Sequence, residues 1–92
     1  MRITFDPAKR AKTLAERGLD FAEAAEVFAG PVFEQEDRRY DYGETRMMCF
    51  GRLRGRLIVV GYVARGEARH IFSMRKANAR EEANFGKRLG QG

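Results

Sequence analysis

Four side chains near the end of the chain, His70, Ser73, Arg75 and Lys76, are of types that do chemistry. His70 is the only histidine. Its imidazole is the one side chain here with a reference pKa near ~6.5, so it is the natural acid or base. Arg75 ends a predicted strand and precedes a predicted helix, where its guanidinium can reach a cleft from a rigid base. The planar fork of arginine donates two parallel hydrogen bonds to a phosphate. Alternation along a strand places Ser73, Ile71 and Arg69 on the face of Arg75. It puts His70 with Phe72, Met74 and Lys76 on the other, unless a bulge re-aims it.

Other cations are candidates for a polyanion. Lys9, Lys12 and Arg17 lie on the first predicted helix and Arg46 begins a strand. Glu44 beside Arg46 reads either as a functional acid or as half of a structural ion pair. Tyr40 and Tyr42 suit stacking on bases, or contact with a protein partner through their flanking acids. Cys49 alternates with Met47 and Leu53, the pattern of a buried core thiol. One histidine and one cysteine exclude an all-protein zinc site, and no acidic cluster has convincing magnesium spacing. No cofactor is expected.

Holding those residues requires a sheet. Arg2 to Phe5 reads as a short strand, and Asp6-Pro7 starts a helix with an N-cap acceptor and a proline at its first position. Ala8, Ala11, Leu14 and Ala15 form its apolar face, and Gly18 stops it. Asp20 and Glu23 make a capping-box variant for a second helix with the stripe Phe21, Ala24, Ala25, Phe28, ended by Gly30-Pro31. Val32 to Glu36 is a strand, and residues 37–43 are a loop. Three strands follow, Thr45 to Leu53, Arg56 to Ala64 and Glu67 to Met74, joined at Arg54-Gly55 and Arg65-Gly66. A closing helix runs from Ala77 to about Leu89. Its modest apolar surface (Ala83, Phe85, Leu89) and nearby Gly86, Gly90 and Gly92 predict a mobile, weakly docked element, with Gly90-Gln91-Gly92 frayed. The expected fold is α+β: an antiparallel meander packed by two N-terminal helices, with a C-terminal helix.

The 92 residues form one domain, 1–92. The lone cysteine argues against an internal disulfide. The longest apolar run, Leu57 to Ala64, is far below the ~20 residues that span a bilayer. No signal-peptide stretch opens the chain, so the expected location is the cytoplasm, away from membranes. The net charge of +5 is unevenly spread. Residues 1–45 hold 7 Lys/Arg against 10 Asp/Glu, a balance of −3; residues 46–92 hold 11 against 3, a balance of +8. One end of the chain suits a polyanion.

Several segments, taken in order, resemble the BrnT family of toxins, whose fold is similar to the RelE-type ribonuclease toxins. They are Phe5-Asp6-Pro7-Ala8-Lys9, Gly18-Leu19-Asp20-Phe21-Ala22-Glu23-Ala24, Gly43-Glu44-Thr45-Arg46, and Ile71-Phe72-Ser73-Met74-Arg75-Lys76-Ala77 followed by Glu81. The resemblance implies a bacterial type II toxin that cleaves RNA without a metal. It also implies a ribbon-helix-helix (BrnA-like) antitoxin, two toxins per antitoxin dimer, and operator DNA bound only through the complex. Under that resemblance Arg75, His70 and Ser73 are the catalytic candidates. Arg69, Lys76, Lys9, Lys12, Arg17 and Arg46 are the RNA-binding candidates. The chain departs from the family where Thr13 to Gly18 replaces Asn-x-x-Lys-His-Gly, and where His70 replaces an Arg three residues before the strand serine. Those departures motivate the alternative of a non-catalytic nucleic-acid- or antitoxin-binding module. A DNA-binding repressor is disfavoured, because no helix-turn-helix with a basic recognition helix is present.

Overall fold

A computed structural model describes residues 1–89; the expectation for Gly90, Gln91 and Gly92 lies outside the described residues. Five strands form one sheet: β1 (Arg2–Phe5), β2 (Val32–Asp37), β3 (Arg46–Leu53), β4 (Arg56–Arg65) and β5 (Ala68–Lys76). Three short helices accompany them, α1 (Pro7–Arg17), α2 (Ala24–Ala29) and α3 (Ala79–Glu81).

The fold is α+β, but the sheet is mixed, which corrects the expected antiparallel meander. Its order is β1-β5-β4-β3-β2. Strands β2 to β5 are successive antiparallel neighbours, whereas β1 lies parallel to β5, with Thr4 opposite His70. Alternating residues identify a strand but carry no information about a partner more than sixty residues away. The hairpin turns follow local chemistry. Arg54 and Gly55 both take positive φ (49° and 83°), as a type I′ turn requires. The β4–β5 turn sits one residue later than expected, with Gly66 at φ 59°.

The helix layout is corrected as well. Asp6 caps α1 by accepting from the Ala8 N–H, and Gly18 ends it in the left-handed conformation at φ 69°. No residue of α1 is buried, however, and Leu14 of its predicted apolar face is 43% exposed. Polar ties hold the helix instead. Arg10 donates to both carboxylate oxygens of Asp20 (2.7 and 2.8 Å), and Arg17 donates to the Met74 carbonyl (2.8 Å). The second helix divides into a 3₁₀ turn, Phe21–Glu23, and α2. Glu23 does not close the expected capping box: Asp20 caps the turn through the Ala22 N–H, while Glu23 pairs with Arg54. The closing helix is reduced to α3 and a wide π turn, Glu82–Gly86.

Both faces of the sheet carry apolar clusters. On the helix face, Leu19, Phe21, Ala24 and Val27 cover Cys49, Leu53, Ile58, Val60, Ile71 and Met74. On the other face Phe85 and Leu89 cover Phe33, Phe50, Leu57 and Val59. Phe85 lies 4.8 Å from Phe33 and 4.5 Å from Phe50, centroid to centroid, and Leu89 is buried. The C-terminal segment is thus packed against the sheet. Among the described residues no helix covers the rest of that second face, the open face of the sheet.

Candidate active site on the open sheet face

The geometry of the site starts from one extra residue in β5. Gly61 pairs with Ser73, but the next β4 residue, Tyr62, pairs with Ile71, so Phe72 is bulged out of register. The bulge reverses the alternation beyond it. Ile71 and Met74 both stay in the helix-face core, three residues apart, and His70, Ser73 and Arg75 all come to the open face. Arg69, expected on the Arg75 face, is turned to the helix face. There it lies 4.4 Å over the Phe28 ring and 4.9 Å over Tyr62, and is 4.0 Å from Glu34. The signal for this was a glycine inside the apolar run of β4, since an isolated strand glycine marks a bulge or a close approach. A Cβ on Gly61 would meet Phe72 Cζ and Ser73 Oγ, each at 2.7 Å.

His70 is partly buried, and its Nδ1 lies 2.9 Å from Thr4 Oγ1 on the neighbouring strand. Desolvation by burial holds its pKa below the ordinary value of 6.5, helped by the positive charges of Arg65 and Lys9. The imidazole is therefore neutral at pH 7. In the tautomer whose Nδ1–H donates to the threonine oxygen, Nε2 carries the lone pair that a base requires.

Arg75 is held from both ends of its fork. Nη1 and Nη2 donate to the two oxygens of Glu81 at 2.8 and 2.9 Å, and Nη1 also reaches the Lys76 carbonyl at 3.4 Å. Glu81 is itself fixed by a capping box: its carboxylate accepts from the Asn78 N–H, and its own N–H donates to Asn78 Oδ1. Its pKa is lowered, first by the Arg75 hydrogen bonds. Glu81 thus offsets the charge of Arg75, while an Nη2 hydrogen and Nε–H remain outside these bonds. A cleft of about 270 Å³ opens beside the pair, lined by Met48, Phe50 and the end of β2.

Arg46 is differently placed. Its guanidinium carbon lies 4.0 Å from the centroid of the Tyr42 ring and 4.6 Å from that of Phe72. Its Nε is buried without a hydrogen-bond partner, and no carboxylate pairs with it among the described residues. Tyr42 is anchored in turn, its hydroxyl donating to Asp37 Oδ2 at 3.2 Å. Asp37 also accepts two side-chain bonds from Arg39, at 2.9 and 2.8 Å, which hold its carboxyl well below the usual range. Glu44 lies 3.6 Å from Arg65 rather than beside Arg46.

The remaining predicted cations stand apart from this group. Lys76 pairs across from Ile58 on the helix side and shares a surface recess with Arg17 and Glu16. Lys12 is exposed on α1, and Lys9 reaches the site only through its field at His70. Sequence reasoning missed Thr4, Phe72, Gly61 and the arginine-holding role of Glu81. Burial pushes the Cys49 thiol up to about 12, which makes it inert. Among the described residues no three His, Cys, Asp or Glu side chains converge to hold a metal ion, and no helix is long and apolar enough to cross a membrane.

An imidazole, a hydroxyl and two guanidinium groups on one open sheet face form a donor set suited to a phosphodiester. No curated protein matches the chain. The family model described as the ribonuclease toxin, BrnT, of type II toxin–antitoxin systems matches residues 5–81, which span β1 to α3. With most of its length matched, the chain belongs to the BrnT family of ribonuclease toxins.

Proposed function

We propose that this chain is an active, metal-independent RNA endonuclease that blocks translation in the cytoplasm and works on the open sheet face. The observation that carries this reading is the β5 bulge, which turns His70, Ser73 and Arg75 to the same side as Arg46. His70 Nε2 takes the proton of a ribose 2′-hydroxyl, and the freed oxygen attacks the adjacent phosphorus. The bond from phosphorus to the 5′ oxygen breaks. The products are a 2′,3′-cyclic phosphate and a 5′-hydroxyl completed by a solvent proton. Arg46, without a carboxylate partner, carries most of the charge stabilisation on the phosphate oxygens. Arg75 adds its remaining N–H groups, and Ser73 donates a hydroxyl.

The test is cleavage of bulk RNA by the purified chain in excess chelator, with the ends of the fragments identified. Cyclic-phosphate and 5′-hydroxyl ends are expected. The occupation of Arg75 by Glu81 favours a second reading, a binding module that kept the fold without the chemistry. RNA bound but uncut in the same assay would select it.

Family membership implies an antitoxin partner. We further propose that it is a dimeric ribbon-helix-helix protein carrying two toxins, and that operator DNA is met only through that complex. The excess of positive charge in residues 46–92 supports an acidic antitoxin segment as the ligand.

A further inference from the structure

Beyond Arg46 the open face continues into an outer aromatic ring that cleavage itself does not require. From the bulge outward, Phe72, Arg46 and Tyr42 are packed ring to cation to ring. Tyr40 extends the column, its ring centroid 5.8 Å from that of Tyr42 in an edge-to-face arrangement at 75°. The inner members are fixed by contacts on the sheet and by the bond from the Tyr42 hydroxyl to Asp37. The outer ring is 71% exposed, one of few large apolar side chains left in solvent. A recess of about 480 Å³ opens beside it, lined by Tyr40, Tyr42, Asp41 and Glu44 among others.

We propose that Tyr40 is the stacking platform for one unpaired nucleobase of the RNA, and that Asp41 beside it accepts a hydrogen bond from an exocyclic amino group of that base. The proposal rests on the reading of the open face as an RNA site, and it names the form of RNA that fits. An exposed aromatic ring next to a cation that can hold phosphate is how single strands are gripped, because every unpaired base offers a π face. Duplex RNA, with its bases stacked on each other, offers none. The acids of the loop do not repel the strand as a group. Glu36 pairs with Arg38, Asp37 with Arg39, and Glu44 with Arg65. Asp41 uses one oxygen to accept from the Gly43 N–H at 3.0 Å, and its second oxygen faces no cation among the described residues. A carboxylate in that state suits the N4 amino group of cytosine and not the O4 of uracil, which is itself an acceptor.

The chain contains no tryptophan, so Tyr40→Trp installs a single indole as a reporter. The probes are 2′-O-methyl dodecamers of cytosine and of uracil, which cannot be cleaved, and the cytosine strand annealed to its complement. Quenching of the indole by the single cytosine strand and not by the duplex is expected, with uracil weaker than cytosine. Asp41→Asn should erase the difference between the two pyrimidines. Tyr40→Ala should weaken single-strand binding, followed by anisotropy, by roughly 5- to 150-fold, with Tyr40→Phe restoring it. Single-strand binding that depends on Arg46 but is untouched by Tyr40→Ala overturns the base subsite and leaves the RNA reading standing. Uracil bound as tightly as cytosine removes the role of Asp41. If the parent chain binds no strand at all, both readings fall. Quenching by an arginine-rich peptide, with none by RNA, assigns the ring to a protein partner and overturns the proposal.

Discussion

Replacing Gly61 by Ala should disable the site more than it destabilises the fold. The added Cβ would stand 2.7 Å from Phe72 Cζ, 2.7 Å from Ser73 Oγ and 2.8 Å from Phe72 Cε1. Ordinary contact begins at 3.4 Å, so the Phe72 ring and the Ser73 hydroxyl must each retreat by about 0.7 Å. Overpacking of this kind costs ~1–3 kcal/mol, which for a domain of this size lowers the melting temperature by roughly 4–8 °C per kcal/mol. The larger effect is local. Phe72 supports the Arg46 guanidinium, Ser73 shares its face, and displacements near 1 Å in a catalytic constellation cost up to ~10²-fold in rate. We expect cleavage per folded molecule to fall by about 10- to 100-fold. Gly51→Ala is the matched control. Its Cβ would meet Val27 Cγ1 at 2.7 Å and Val32 Cγ1 at 3.1 Å, an equally close approach on the helix face though to fewer atoms. It should lose comparable stability and keep its specific activity. The assay is thermal melting together with RNA cleavage at a temperature where both variants are folded. Undiminished cleavage by folded Gly61→Ala, or an equal loss in Gly51→Ala, would refute the reasoning.

His70→Gln should lower cleavage, and so should His70→Arg, because a guanidinium stays protonated and cannot take the 2′-hydroxyl proton. The wild-type rate should rise with pH to a plateau, with its midpoint below the ordinary imidazole value of 6.5, because burial and then Arg65 and Lys9 hold this imidazole below that value. Loss of that acid limb in the glutamine variant is the check. Arg75→Ala should cut cleavage by ~10²–10³, measured on protein shown to be folded; near-normal growth arrest by such a variant removes Arg75 from the site. Asp20 is held down at about 2, first by the Arg10 hydrogen bonds and then by the Ala22 N–H. Its contribution to stability is therefore present above the unfolded value near ~3.9 and is lost as pH falls toward 2. Asp20→Asn should flatten the melting temperature across that window. Titration calorimetry against a neighbouring ribbon-helix-helix gene product should give two toxins per dimer, with association slowed by salt; no binding at micromolar concentrations in low salt ends that assignment.

Much of the framework was legible because its signals are local. Asp6 and Gly18 bracket α1 with a cap acceptor and a left-handed stop. Arg54-Gly55 sets a turn, and the apolar run from Leu57 became the buried centre of the sheet. What escaped depends on distant partners. The direction of β1 is decided by β5, and the inward face of α1 by Asp20 and the Met74 carbonyl rather than by its alanines. Among the candidate site residues, the place of Arg75 near a strand end was legible, but its engagement by Glu81 needed the turn between them. Alternation set His70 on the face opposite Ser73 and Arg75, and the bulged residue between them brings it to the same face.

The parallel pairing of β1 with β5 has a consequence for how the protein comes into being. Thr4 and His70, 66 positions apart, meet only when β5 has docked beside β1. A chain still being synthesised holds β1 as an unsatisfied edge, and the imidazole keeps no defined partner until translation has passed Lys76. Contacts of such sequence separation form late and slowly. The Thr4–His70 contact is therefore completed by the pairing of the two sequence-distant strands rather than inherited from a local element.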